Sequence, residues 1–284
     1  MLRVTSLSNY TVKPQLDRAV ESKQFTNKVA IVTGGGTGLG KEMSLKLARE
    51  GARVVIASRS MDHLQTTANS IADEGGTVLA IPTDVRDHAQ VETLVKTTVE
   101  KFGRIDILIN NAAGNFLVPS EKLTPNGWNA VVRIVLDGTW FCSSSVGKQM
   151  IEQKDGCILN IIATYAMTGS PGVVHSASAK AGVLAMTRTL AAEWGHHGIR
   201  VNALAPGAMV TEGASKNLMF DSEQAQKVIE KNVPLGRLAT VDEIAELALF
   251  LCSPKAAYIT GDVMTADGGA WMKSKSFLDM LNGG

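Results

Sequence analysis

The stretch Lys28-Val-Ala-Ile-Val-Thr-Gly-Gly-Gly-Thr-Gly-Leu-Gly40 decides how the chain folds. It starts as a short apolar run and passes through a dense glycine turn. It then opens a pattern in which Leu39, Met43, Leu47 and Ala48 fall on one helical face. Gly34, Gly38 and Gly40 let the backbone turn tightly, and Thr37 and Leu39 complete the turn. The helix start presents free N–H groups and the positive end of a dipole, both of which favour an anion. Between a strand and a helix, such a turn reads as a seat for the pyrophosphate of a dinucleotide, with a plain tight connection as the alternative.

The same alternation runs on. Arg53–Ser58 reads as a second strand, Met61–Glu74 as a helix stopped by Gly75-Gly76, and Thr77–Ile81 as a third strand. Asp87 caps a helix carrying Val91, Leu94, Val95 and Val99, and Arg104–Ile109 is a fourth strand. Pro125–Ile151 is helical, Cys157–Ala163 a fifth strand, Ser176–Trp194 a helix and Arg200–Leu204 a sixth strand. Val241–Cys252 and Asp262–Thr265 close the series as helix and strand. The pattern predicts a doubly wound parallel sheet, a single-domain Rossmann-type α/β fold over residues 27–284. Residues 1–26 are polar and aperiodic, without an apolar signal core, and read as an N-terminal arm that packs on a neighbouring subunit. Residues 207–235 are too long for an ordinary connection and read as a lid.

Composition narrows the function classes. A 284-residue chain with 45% hydrophobic content suffices for one large domain, and its net charge of +1 gives no electrostatic case for nucleic acid. No apolar run approaches the roughly 18 residues of a membrane span, so a soluble chain is expected. Cys142, Cys157 and Cys252 sit in apolar segments without metal-type spacing, which favours free buried thiols in a reducing compartment, the cytoplasm being the simplest. The five histidines form no ligand cluster, so no metal is expected.

In open sheets, ligands bind beyond the carboxyl ends of the strands. The second strand ends in Ser58-Arg59-Ser60, where a carboxylate would suit the ribose 2′-hydroxyl of NAD. Arg59 suits the 2′-phosphate of NADP(H), or another phosphate-bearing ligand, or is a surface arginine. Asp84, followed by Val85, is placed to accept from an adenine amine. Asn110 and Asn111 offer compact polar groups at the fourth strand end, or pin the turn. Between Thr164 and Lys180 a strand-end Tyr165 precedes Ser176 and Lys180, which share one helix face.

Thr33-Gly34-x-x-x-Gly38-x-Gly40, Asn110-Asn111-Ala112-Ala113-Gly114 and Pro206-Gly207-x-x-x-Thr211 resemble the marks of the short-chain dehydrogenase/reductase family over residues 27–270. The resemblance implies a nicotinamide cofactor held also by Asn111, Pro206 and Gly207, a catalytic Lys180, Thr211 near the carboxamide, and a homo-oligomer, usually a homotetramer. Three positions depart from the family pattern: Ser176 where a tyrosine precedes the lysine, Thr164-Tyr165 where a serine is usual, and Val135 where an asparagine is usual. Together these changes are similar to the 2,4-dienoyl-CoA reductase branch. Carried over, its catalytic set is Tyr165, Ser176, Lys180 and Asn115.

The resemblance then implies an acyl-CoA thioester substrate. Tyr165 and Asn115 would donate to the thioester oxygen in an oxyanion-hole arrangement, the product being a 3-enoyl-CoA. Lys180 would hold the nicotinamide ribose, and its charge would favour a more acidic nearby donor. Ser176 bonds substrate or cofactor, or is the helix N-cap. His175 reads as a solvent-facing loop residue. Arg59, Arg86 and Lys216 are candidates for coenzyme A phosphates, Phe116 is a further candidate for substrate contact, and Met209 and Met219 suit an apolar acyl chain. The alternatives are a trans-2-enoyl-CoA reductase, a short-chain carbonyl reductase and, outside enzymes, an NADP-binding regulator.

Overall fold

A computed structural model describes residues 23–209 and 222–272. Seven strands form its sheet: β1 Val29–Thr33, β2 Arg53–Ser58, β3 Thr77–Pro82, β4 Ile107–Asn110, β5 Gly156–Ile161, β6 Ile199–Pro206 and β7 Val263–Ala266. They pair parallel in the order β3-β2-β1-β4-β5-β6-β7. The order reverses between β1 and β4, so the connections leaving these neighbours run to opposite faces and leave a crevice. β1, β4 and β5 are buried along their whole length, as near-continuous apolar runs in a doubly covered sheet should be.

Helices α1 Gly38–Arg49, α2 Met61–Asp73 and α3 His88–Phe102 follow the first three strands. α4 Pro125–Val132 continues through a π-helical turn, Arg133–Asp137, into α5 Gly138–Gln153. The long helical reading of this region thus holds with one widened turn, which sets Val135 in the core at 1% exposure. A short α6, Tyr165–Thr168, precedes the 21-residue α7, Val174–Trp194; α8 is Glu223–Glu230 and α9 Val241–Cys252. Local chemistry marks several ends. Asp87 accepts from the Ala89 and Gln90 amides at the start of α3, and Gly103 ends it at φ +80°. Thr240 and Glu243 form a reciprocal capping box on α9.

Two apolar layers sandwich the sheet. Met43, Leu47, Val54, Ile56, Ile244 and Leu249 pack on one face, and Val91, Leu94, Leu108, Val146, Met150 and Leu190 on the other. At the N-terminal edge, buried Asp106 accepts from Lys28 Nζ at 3.0 Å, the Val29 amide at 2.9 Å and Arg104 Nε at 3.0 Å. These bonds take Arg104 and Asp106 out of β4, which starts later than its apolar pattern suggests. All three cysteines are buried and free.

The described residues alter the arm reading at its inner end. Lys23–Thr26 turn back onto the domain, with the Phe25 amide donating to Glu50 O at 2.8 Å and the Phe25 ring 1% exposed in the core. Residues 1–22 lie outside the described residues, as do 210–221 of the lid reading. Truncating a buried aromatic costs about 3–5 kcal/mol. Phe25→Ala is therefore expected to lower the urea midpoint of the full chain markedly, whereas an arm residue would leave it unchanged.

Candidate active site

At the β1/β4 crevice, the α1 turn is shaped by backbone crowding. A Cβ on Gly40 would stand 2.1 Å from Gly34 O, so the turn closes only with glycine there. Asn111 Nδ2 donates to Thr33 O at 3.0 Å, and the Asn111 and Ala112 amides donate to Thr33 Oγ1, each at 3.0 Å. Asn111 therefore pins the turn. Asn110 lies beneath, donating to Ser143 Oγ at 2.9 Å and Asn160 Oδ1 at 2.8 Å. The α1 N-terminus has no side-chain cap and no acidic residue in its first turn, so its N–H groups face the crevice free for an anion.

A cavity of about 960 Å³ opens there. Among the candidate residues it is lined by Gly34, Thr37, Gly38, Leu39 and Gly40, by Arg59, Asp84, Val85 and Asn111, and by Asn115, Tyr165, Lys180, Pro206 and Gly207. Its volume lies at the upper end of ligand pockets, typically about 300–1,000 Å³, which suits a long ligand. The donor set fits a nicotinamide dinucleotide: uncapped amides and glycines at the centre, and an exposed Arg59 between two serines at one end. His63 and Ile134 also line it and escaped sequence reasoning. His63 sits in the first turn of α2, four residues after Arg59, a spacing that was there to be read.

One candidate for phosphate contact is placed otherwise. Arg86 Nε bonds both Asp84 oxygens, at 2.9 and 3.1 Å, and its backbone amide donates to Asp84 Oδ1. Hydrogen bonding from Arg86 holds the Asp84 carboxyl below its ordinary range. Arg86 is thus the partner of Asp84 rather than a free cation, and an adenine amine would have to share that carboxylate. Thr211, Lys216 and Met219 lie outside the described residues.

At the other end of the cavity three side chains meet. Tyr165 Oη and Ser176 Oγ are 3.0 Å apart, and Asn115 Nδ2 donates to Tyr165 Oη at 3.4 Å. Asn115 Oδ1 accepts from the Phe116 amide at 2.9 Å, which fixes the way the amide points. Ser176 is buried behind the phenol, in the third position of α7, whose N-cap is Val173; the capping alternative for Ser176 falls. Burial raises the phenol pKa against the opposing bonds from Ser176 and Asn115. At neutral pH Tyr165 is therefore a neutral O–H donor.

Lys180 is 7% exposed, and its Nζ donates to Ile161 O. Burial pushes its pKa down to about 8. The ammonium is bonded to the strand end and not to the phenol, so the expected acidification of the donor does not arise. His175 is likewise misread by sequence: it is fully buried, both ring nitrogens lack partners among the described residues, and its ring lies on Phe116 with centroids 4.5 Å apart. Phe116 packs behind the cavity and does not line it.

The family described as Enoyl-(Acyl carrier protein) reductase matches residues 34–270. A probable 2,4-dienoyl-CoA reductase of Bacillus subtilis (strain 168), named as (2E)-enoyl-CoA-producing, is 50% identical over 88% of this chain and 99% of its own length. The chain belongs to the short-chain dehydrogenase/reductase family. Its membership makes it an oxidoreductase, and it is similar to 2,4-dienoyl-CoA reductases. The peroxisomal 2,4-dienoyl-CoA reductase of Mus musculus, named as (3E)-enoyl-CoA-producing, is 43% identical over 87% of this chain and 84% of its own. Among solved structures, a short chain dehydrogenase from Bacillus anthracis superposes with TM-score 0.79 at 50% identity, covering 88% of this chain and 98% of that one. A gluconate 5-dehydrogenase from Burkholderia cenocepacia, solved with NADP and tartrate, gives 0.85 at 31% identity, covering 90% and 100%. Seven parallel strands flanked by helices are thus the fold of this short-chain dehydrogenase/reductase, as its sequence predicts.

Burying Lys180 has a readable cost. Below about pH 8 the lysine is charged in both folded and unfolded chains, and the fold bears the whole desolvation penalty. Between about 8 and 10.5 the folded protein has shed a proton that the unfolded chain keeps, so this penalty fades as pH rises. Lys180→Met is expected to stabilise the protein at pH 7 by on the order of 2–4 kcal/mol while abolishing turnover. Thermal melts at pH 7 and pH 10 check this: the gain should be largest at pH 7.

Proposed function

We propose that the protein reduces 2,4-dienoyl-CoA thioesters to 3-enoyl-CoA with NADPH, in the breakdown of unsaturated fatty acids. The observation that carries the reading is the Asn115–Tyr165–Ser176 cluster at the cavity end next to Lys180. Reducing a conjugated thioester places negative charge on the thioester oxygen, remote from the carbon that takes the hydride. That oxygen needs donors held in advance. With Ser176 donating to the phenol oxygen, Tyr165 is free to aim its own proton at the substrate, and Asn115 keeps a second amide hydrogen for the same oxygen.

When bound, NADPH supplies the hydride. The glycine turn and the α1 N-terminus hold its pyrophosphate, Arg59 with Ser58 and Ser60 its 2′-phosphate, and Lys180 its nicotinamide ribose. Arg59 is exposed, at the lip of the cavity, where the charge of a 2′-phosphate remains partly solvated. Protonation of the dienolate at the carbon next to the thioester gives the 3-enoyl product; protonation two carbons further along gives the 2-enoyl product. The second outcome is favoured by the name of the Bacillus subtilis relative. Assembly as a homotetramer and residence in the reducing cytoplasm complete the proposal, the latter supported by the three free buried thiols. No helix among the described residues is long and apolar enough to cross a membrane.

The test is NADPH oxidation by the purified protein with 2,4-hexadienoyl-CoA, 2-hexenoyl-CoA and simple ketones, with product NMR locating the remaining double bond. Turnover of the dienoyl thioester to a 3-enoyl product is expected. Turnover of ketones alone would overturn the reading, and tight NADPH binding without any turnover would favour the regulator. Arg59→Ala is expected to weaken NADPH binding on the order of 10-fold or more and to leave NADH binding unchanged, as loss of one charge-assisted contact should.

A further inference from the structure

The proposed chemistry leaves His175 unused, although it is the one described side chain with two buried, unpartnered ring nitrogens. Its ring lies against Phe116 with 4.5 Å between centroids and a 44° tilt. Phe116 is held from the other side by α4, where a Cβ on Gly127 would stand 3.1 Å from Phe116 Cζ. The same loop is tied further on by the Val118 amide, which donates to Gly172 O at 2.9 Å. The packed rings therefore bracket the donor cluster. Asn115 precedes Phe116 and Ser176 follows His175, and these two supply the partners of Tyr165 Oη.

We propose that His175 is a positioning residue whose neutral ring, packed against Phe116, holds the Asn115 amide and the Ser176 hydroxyl in bonding range of Tyr165. The proposal rests on the dienoyl-CoA reading for its catalytic consequence, not for its geometry. The ring works only while uncharged, because no counter-charge faces it. The loop 112–119, α4 and the turn 169–173 carry no charged residue; α6 brings Tyr165, α7 brings Lys180, Arg188 and Glu193, and the π-helical turn brings Arg133 and Asp137. None of these is bonded to the imidazole, and burial alone lowers its pKa. A proton added there creates an unpaired buried charge, which drives the ring out and releases the Asn115–Phe116 loop.

The test compares the full-length protein with His175→Phe, which keeps a packed ring, and His175→Ala, which removes it. Three quantities are read: kcat with 2,4-hexadienoyl-CoA from pH 5 upwards, NADPH affinity, and the alkaline titration of Tyr165 by phenolate absorbance. The sequence holds three tyrosines, so subtraction of a Tyr165→Phe spectrum isolates that signal. His175→Ala is expected to lower kcat on the order of 10-fold or more at unchanged NADPH affinity, and to bring the raised Tyr165 pKa down as water enters. His175→Phe is expected to keep wild-type kcat at neutral pH and to lose the wild-type fall in kcat on acidification. Wild-type kcat and Tyr165 titration in His175→Ala, or an unchanged acid limb in His175→Phe, would overturn the proposal. The phenol titration needs no substrate. A wild-type protein inactive on dienoyl-CoA therefore sinks the functional reading, while His175 is still judged by Tyr165; if His175→Ala does not fold, His175→Phe carries the test.

Discussion

Strands β1 and β4 lie side by side yet send their connections to opposite faces of the sheet, and the gap at their carboxyl ends has to be closed by backbone. Asn111 does this, donating to Thr33 O and bringing its own amide to Thr33 Oγ1. The closure leaves room for no side chain at Gly40, where a Cβ would meet Gly34 O at 2.1 Å. That crowding aims the start of α1 at the cavity with its amides uncapped. Everything downstream is referenced to this point. β5, paired to β4, carries Ile161, whose carbonyl receives Lys180, and the chain beyond it delivers Tyr165.

The far end of the cavity balances two opposed electrostatic costs. Burial depresses the lysine and raises the phenol, so the site favours neutral forms of both groups. A neutral phenol ringed by donors suits an oxygen that gains charge during reaction, because it gives a proton in a hydrogen bond without surrendering it. An apolar residue in place of Lys180 would fold more readily.

Much of this was legible in the chain. The glycine turn, the alternating apolar runs and the Asp87 cap place nearly every element, because each is a local signal. The meeting of Tyr165, Ser176 and Asn115 came from the resemblance to a branch of the family, and the geometry brings those three together. Other features depend on long-range packing that no local pattern carries. His175 follows a glycine-proline turn and reads as exposed, yet the loop around Phe116 folds over it. Arg86 reads as a free cation, but Asp84, two residues earlier, curls back to take it. Phe25 sits in a polar stretch, and only the docking of that stretch against Glu50 buries it.

The central claim is that the donor has moved to Tyr165 while Ser176 only supports it. Single-turnover hydride transfer with NADPH and 2,4-hexadienoyl-CoA measures this directly. Tyr165→Phe is expected to slow that step on the order of 10²-fold or more, the scale of a lost oxyanion donor, with NADPH affinity unchanged and Ser176→Ala less damaging. A Tyr165→Phe enzyme within about twofold of wild type, or a Ser176→Ala enzyme more impaired than it, would contradict the account.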